Sequence, residues 1–93
     1  MGRAAYWAEV YGISYRKIFI KKQRTRWGSA SAAGNLNFNY RLGFLPPELL
    51  DYVVVHELCH IRHLNHSPAF WALVGVTQPN PKALAKRLNA YRF

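Results

Sequence analysis

From Leu36 to Leu42 apolar and polar residues alternate, with Leu36, Phe38, Tyr40 and Leu42 interleaved by Asn37, Asn39 and Arg41. Side chains of an extended chain point to opposite faces in turn, so this period of two predicts a strand with one buried face. The Ala33-Gly34-Asn35 turn leads into it. Two β-branched and aromatic runs precede it, Lys17 to Lys22 (KIFIKK) and Arg26 to Ser31 (RWGSAS), and predict two short strands, the second pairing beside the first. The strand from Leu36 is a candidate to accept an extended peptide through its backbone.

The pattern changes at Leu45-Pro46-Pro47. Glu48 to Leu64 holds neither Gly nor Pro and opens with Glu48 and Asp51, whose charge suits the positive end of a helix dipole. At 100° per residue, Glu48, Asp51 and Arg62 form one narrow wet stripe opposite Leu50, Val54, Leu58 and Ile61. Ser67-Pro68 is an N-cap followed by a first-turn proline, and the helix it starts runs to Gly75. Asn80-Pro81 repeats the signal and opens a last, basic helix to Tyr91. Near the start, Ala4, Tyr6, Trp7 and Val10 recur at helical spacing over Arg3 to Tyr11, and Gly12 follows where a positive φ is wanted. The order predicts one α+β domain over residues 1–93, with a small antiparallel sheet of about three strands on the long central helix and short helices at both ends.

Composition narrows the class. With 51% hydrophobic and 15% aromatic residues, 93 residues can build one core, which excludes a disordered chain and a multidomain enzyme. Thirteen Lys and Arg against four Asp and Glu leave a net charge of +9, which suits an anionic partner, a nucleotide or a nucleic acid, or else a solvated face. The single cysteine, Cys59, cannot form an internal disulfide and reads as a small buried hydrophobe. No apolar run approaches the roughly 20 residues that cross a bilayer, so no membrane partner and a cytoplasmic location are expected.

The chemistry lies in His56-Glu57-Leu58-Cys59-His60, an HExxH motif in the middle of the long helix. Residues i and i+4 differ by about 40° and about 6 Å of rise, so both imidazoles face one point, as two ligands of a tetrahedral ion must. Glu57 projects beside them, where it can take a proton from a metal-activated water. A hydrolytic zinc site takes three protein ligands, and no Asp or Glu follows Glu57, so the third is sought among His63 and His66. On a continuing helix His63 would sit about 10.5 Å beyond His56, too far to share an ion. His66 would be about 15 Å away unless the helix stops near Leu64-Asn65 and the chain turns back. Asn65 tolerates the left-handed exit this needs, and His66 is the expected third ligand.

These residues resemble the YgjP-like metallopeptidase domains, relatives of the SprT-like zinc proteases. The likeness spans Tyr15 to Val74 and is carried by Arg24 to Ser31 (RTRWGSAS), Gly34 to Leu42 (GNLNFNYRL), Leu45-Pro46 and Tyr52 to Trp71 (YVVVHELCHIRHLNHSPAFW). Ala30 stands where the family usually has cysteine, and Tyr40 where it often has tryptophan. The resemblance implies a zinc hydrolase with His56, His60 and His66 on Zn2+ and Glu57 as catalytic acid and base, in agreement with the elimination.

The expected activity is hydrolysis of a peptide or protein substrate by a zinc metallopeptidase. Tyr52, Asn37, Asn39, Tyr40 and Arg41 are candidate donors to the oxyanion. Trp27, Phe70 and Trp71 are expected in the core, with Phe70 and Trp71 bracing the His66 turn. Two alternatives follow from the charge. One is a metal-dependent nucleoside triphosphate pyrophosphohydrolase, served by Arg16, Lys17, Lys21, Lys22, Arg24 and Arg26 but without a Walker-type loop. The other is a basic nucleic-acid-associated domain using Lys82, Lys86, Arg87 and Arg92.

Overall fold

Helix α2 (Pro47–Arg62) is the element on which the rest is packed. Pro47 begins it without cost, because the first helical N–H has no intrahelical partner. Leu49, Val53, Val54, Val55, Leu58 and Cys59 are all buried, so the helix is enclosed around most of its circumference. The computed structural model of the chain describes residues 2–22 and 26–91.

The sheet covers one side of α2. It contains β1 (Lys17–Lys21), β2 (Gly28–Ala30) and β3 (Asn35–Asn39) in the order β1-β3-β2. Strands β2 and β3 form an antiparallel hairpin that pairs Ser29 with Asn37, closed by the Gly34 N–H donating to the Ser31 carbonyl at 3.0 Å. Strand β1 joins the opposite edge parallel to β3, pairing Ile18 with Leu36 and Ile20 with Phe38. The expected antiparallel sheet is thus a mixed one, and β2 does not pair beside β1 as expected, because β3 lies between them and takes both edges. The chain leaving β1 crosses to the far edge before β2, and a connection of that length lets β1 run in the same direction as β3. Because β3 is central, both its edges are paired, and it cannot accept a peptide strand as the sequence reading allowed.

Two elements end earlier than their periodicity implies. Strand β3 stops at Asn39, whose Oδ1 accepts from the Arg41 N–H at 2.9 Å and whose Nδ2 donates to the Arg26 carbonyl at 3.0 Å. This local alternative to ladder bonds starts the 3-10 helix Tyr40–Phe44, which still places Leu42 in the core. Strand β2 likewise covers only Gly28–Ala30 of the predicted run.

Three helices close the other sides of α2. Helix α1 (Gly2–Tyr11) ends at Gly12 with φ 65°, as expected. Its Arg3 donates to both Asp51 carboxylate oxygens at 2.8 and 2.9 Å, and Trp7 Nε1 donates to the same carboxylate at 3.1 Å. Asp51 is therefore covered by α1 and does not lie on a wet stripe. Helix α3 (Pro68–Gly75) is capped by Ser67 Oγ, which accepts from the Phe70 N–H at 3.2 Å. Helix α4 (Pro81–Asn89) ends two residues before Tyr91 and is tied to α2 by Arg87 and Glu48 at 2.9 Å. No helix among the described residues is long and apolar enough to cross a membrane.

Candidate metal centre

The last two turns of α2 and the loop into α3 bring three imidazoles together. His56 and His60 project from the same face of α2, and their ring centres are 4.7 Å apart. The helix stops at Arg62, and His63 is extended at φ −130° and ψ 101°. The exit comes earlier than the expected stop at Leu64-Asn65 and uses no left-handed residue; Asn80 is the only non-glycine with positive φ among the described residues. The turn is brief because Ser67 caps α3 immediately afterwards, and it carries His66 back over the cluster. His66 Nε2 lies 3.0 Å from His60 Nε2 and 3.3 Å from His56 Nε2.

The outer ring nitrogens settle which atoms face inward. His60 Nδ1 donates to the His63 carbonyl and His56 Nδ1 to Glu57 Oε2, each at 3.0 Å. Carbonyl and carboxylate oxygens only accept, so both Nδ1 atoms carry the hydrogen and both Nε2 atoms present lone pairs. His63 thus enters through its backbone, not its ring. His66 has its pKa lowered by burial first and by the neighbouring His60 and His56 second, which favours its neutral form. Lone pairs converging on one point repel unless a cation lies between them. At a tetrahedral ion with bonds of about 2.0–2.1 Å the nitrogens are about 3.4 Å apart. Here His66 Nε2 stands 3.0 and 3.3 Å from the other two Nε2 atoms, close to that spacing, and the three ligand atoms all lie within 4.8 Å of one another.

Aromatic rings fix the imidazoles from behind. Phe70 is fully buried and stacks on His60 with centres 4.3 Å apart at 23°, and Trp71 stacks on His66 at 5.6 Å and 25°. Trp27 and Trp71 are only half-buried. They line a cavity of about 330 Å³ beside His56 and Glu57, so two of the three expected core aromatics are walls of open space.

The sequence pattern of the YgjP-like metallopeptidase domain matches residues 2–91. The chain belongs to the YgjP-like metallopeptidase domain family. Two solved structures share the fold of this YgjP-like domain. One is the metallopeptidase zymogen of Pyrococcus abyssi abylysin, at 20% identity and TM-score 0.83, over 94% of this chain and 89% of that one. The other is the metallopeptidase zymogen of Methanocaldococcus jannaschii jannalysin, at 22% identity and TM-score 0.81, over 96% and 92%. Among curated proteins no match is found. Family membership makes the YgjP-like domain a metallohydrolase that uses a metal ion and acts on peptide or protein.

The remaining candidates separate by position. Glu57 is 6% exposed and faces the cavities on either side of the histidines. Tyr52 lines the larger one, and its phenol is pushed up to about 12 by burial and by the negative Glu57, so it stays a donor. Asn39 is occupied with the 3-10 turn, Tyr40 receives a bond from Arg41 Nε at 3.3 Å, and Asn37 lies in the Phe19 row of the sheet. Cys59 is buried and its thiol is raised to about 12 by that burial, as befits a core residue. Arg24 and Arg92 lie outside the described residues.

Two placements escaped the sequence reading. Arg26, given a role there only among the cations of the nucleotide alternative, lines both cavities that flank the histidines. At Gly28 a Cβ would lie 3.0 Å from the Asn37 carbonyl and 3.1 Å from Glu57 Cγ, so any larger residue would press on the carboxylate side chain and on β3, which would have to give by a few tenths of an ångström. A lone glycine inside a strand pattern was the available signal.

Proposed function

We propose that the chain is a zinc-dependent metallopeptidase in which His56, His60 and His66 hold the ion and Glu57 moves the proton. The observation that carries this reading is the convergence of three Nε2 atoms, two with their hydrogens committed elsewhere, next to a buried carboxylate. Three neutral imidazoles and one open position suit Zn2+, which imposes no geometry of its own and is the usual occupant of such sites. Bound there, zinc supplies a Lewis acid that polarises a carbonyl and makes a water acidic near neutral pH.

The chain's own groups do the rest. Glu57 Oε2 holds His56 in its tautomer, while Oε1 takes the proton of the attacking water and passes it to the leaving amine. The Tyr52 hydroxyl, protonated across the neutral range, donates to the carbonyl oxygen as the carbon becomes tetrahedral. Strand β2 is an edge strand, and Gly28, Ser29 and Ala30 share an open groove with His60 and His66. An extended substrate adds to that edge by backbone bonds, which brings its carbonyl to the histidines without demanding a particular sequence.

The test is hydrolysis of a labelled unfolded protein by the zinc-loaded chain and by Glu57→Gln. Loss of about 10²–10⁴-fold in rate with zinc content unchanged is expected. Cleavage at the parent rate by the variant, or no bound metal in the parent, refutes the proposal.

A further inference from the structure

The positive charge is distributed unevenly. Three of the four carboxylates lie on α2 and are engaged there, Glu48 with Arg87, Asp51 with Arg3 and Glu57 with His56. On α4, Arg87 is held by Glu48 and Lys82 Nζ sits 5.8 Å from the Trp71 ring centre. The stretch from Arg16 to Arg26, by contrast, carries six basic residues and no acid. Among the described residues, Arg16, Lys17, Lys21, Lys22 and Arg26 are exposed and enter none of the ion pairs.

The strand register collects part of this charge on one surface. Leu36, Phe38 and Gly28 face α2, so their neighbours in the pleat face outward. In register across the sheet, Phe19 lies beside Asn37 and Asn37 beside Ser29. Lys17 and Lys21 flank Phe19 on the same face, each about 7 Å along the strand. Phe19 is 41% exposed, and Lys21 Nζ lies 5.6 Å from its ring centre.

We propose that this outer sheet face binds single-stranded nucleic acid, with Phe19 stacking on a base and Lys17 and Lys21 meeting flanking phosphates. An aromatic ring on the outer sheet face, with cations at either side and the half-buried Asn37 amide beside it, meets the three needs of an unpaired strand: a stacking surface, counter-charge and a hydrogen bond to a base edge. A duplex hides its base faces from Phe19, an acidic protein has no use for a lone ring among amides, and a membrane surface requires more apolar area than one phenylalanine. The face lies on the other side of the sheet from Glu57, so the bound strand leaves the histidines open.

Fluorescence anisotropy of a labelled 12-nucleotide single strand, as DNA and as RNA, tests this over a range of salt; the two arms identify which sugar is preferred. Phe19→Ala is expected to weaken binding about tenfold without altering the salt slope. Lys17→Ala with Lys21→Ala is expected to weaken it and to lower the slope by about 1.4. All three positions are exposed, and circular dichroism verifies that the variants fold. The proposal is overturned if Phe19→Ala binds as tightly as the parent, if a duplex or polyglutamate binds equally well, or if Lys82→Ala with Lys86→Ala weakens binding as much. Absence of binding at low salt overturns it as well. Hydrolysis is not measured, so the outcome is independent of the metallopeptidase reading.

Discussion

The two halves of helix α2 use carboxylates in opposite ways. In the first half, Glu48 and Asp51 meet arginines whose charge is permanent. Glu48 is held below the usual carboxylate range chiefly by its bond from Arg87. Asp51 is opposed by burial, yet the Arg3 fork and Trp7 outweigh it and its carboxyl is lowered too. These groups fasten α4 and α1 to the helix. In the second half, Glu57 is more buried than either and, among the described residues, meets only the N–H of His56 at 3.0 Å, with cavities on both sides. A carboxylate matched by a guanidinium is fixed in charge and position. One matched by an imidazole beside open space is left free to exchange a proton, which is the role proposed above for Glu57, and that difference separates a fastening from a candidate working site.

The sharpest way to break this comparison is to remove the residue that closes the second half. His66→Ala is expected to lower zinc affinity by more than about 100-fold, since losing even an outer partner of a metal ligand costs 10–100-fold. Zinc content of the purified variant, by atomic emission, measures it. Gly28→Ala probes placement alone. Its methyl group would press on the Asn37 carbonyl and Glu57 Cγ and shift the carboxylate by a few tenths of an ångström, so hydrolysis should fall by about 10–100-fold while zinc stays bound. In the first half, Asp51→Ala is expected to cost about 2 kcal/mol in urea unfolding and to leave zinc untouched. Because the folded pKa of Asp51 is depressed, its contribution is complete above the ordinary aspartate value of about 3.9 and disappears as pH falls through the folded value. The variant should therefore lose less stability on acidification than the parent. Glu48→Ala, on an exposed pair, should leave the urea midpoint where it is.

Several parts of the site were legible because they are local. The spacing of His56 and His60 turns directly into a shared helix face, and Ser67-Pro68 marks the restart of the chain with its own capping bond. The elimination that singled out His66 needed only the absence of later acids, and the structure places that ring against the other two. The exit itself was misjudged. It occurs at an extended His63, whose carbonyl accepts from His60 Nδ1 at 3.0 Å, a bond to a side chain of the preceding turn that the helical pattern of His63 and Leu64 does not reveal.

Other parts depend on residues far away in the chain. The period of two from Leu36 to Leu42 is real as a burial pattern, but Asn39 binds Arg26 from the preceding strand region and converts the second half into a 3-10 turn. Trp71 looked like core because its neighbours are apolar, yet it borders a cavity whose other walls come from β2, α2 and α4, segments far from it in the chain.

The sequence by itself determined the helices, the shared helix face of His56 and His60 and the excess of positive charge, because each follows from composition or from neighbours within a turn or two. The tertiary structure alone decided the parallel seat of β1, the glycine gap that admits Glu57 and the gathering of Lys17, Phe19 and Lys21 on one outer face. Those features arise where segments distant in the chain come into register, and no local periodicity encodes the direction or side from which a distant strand arrives.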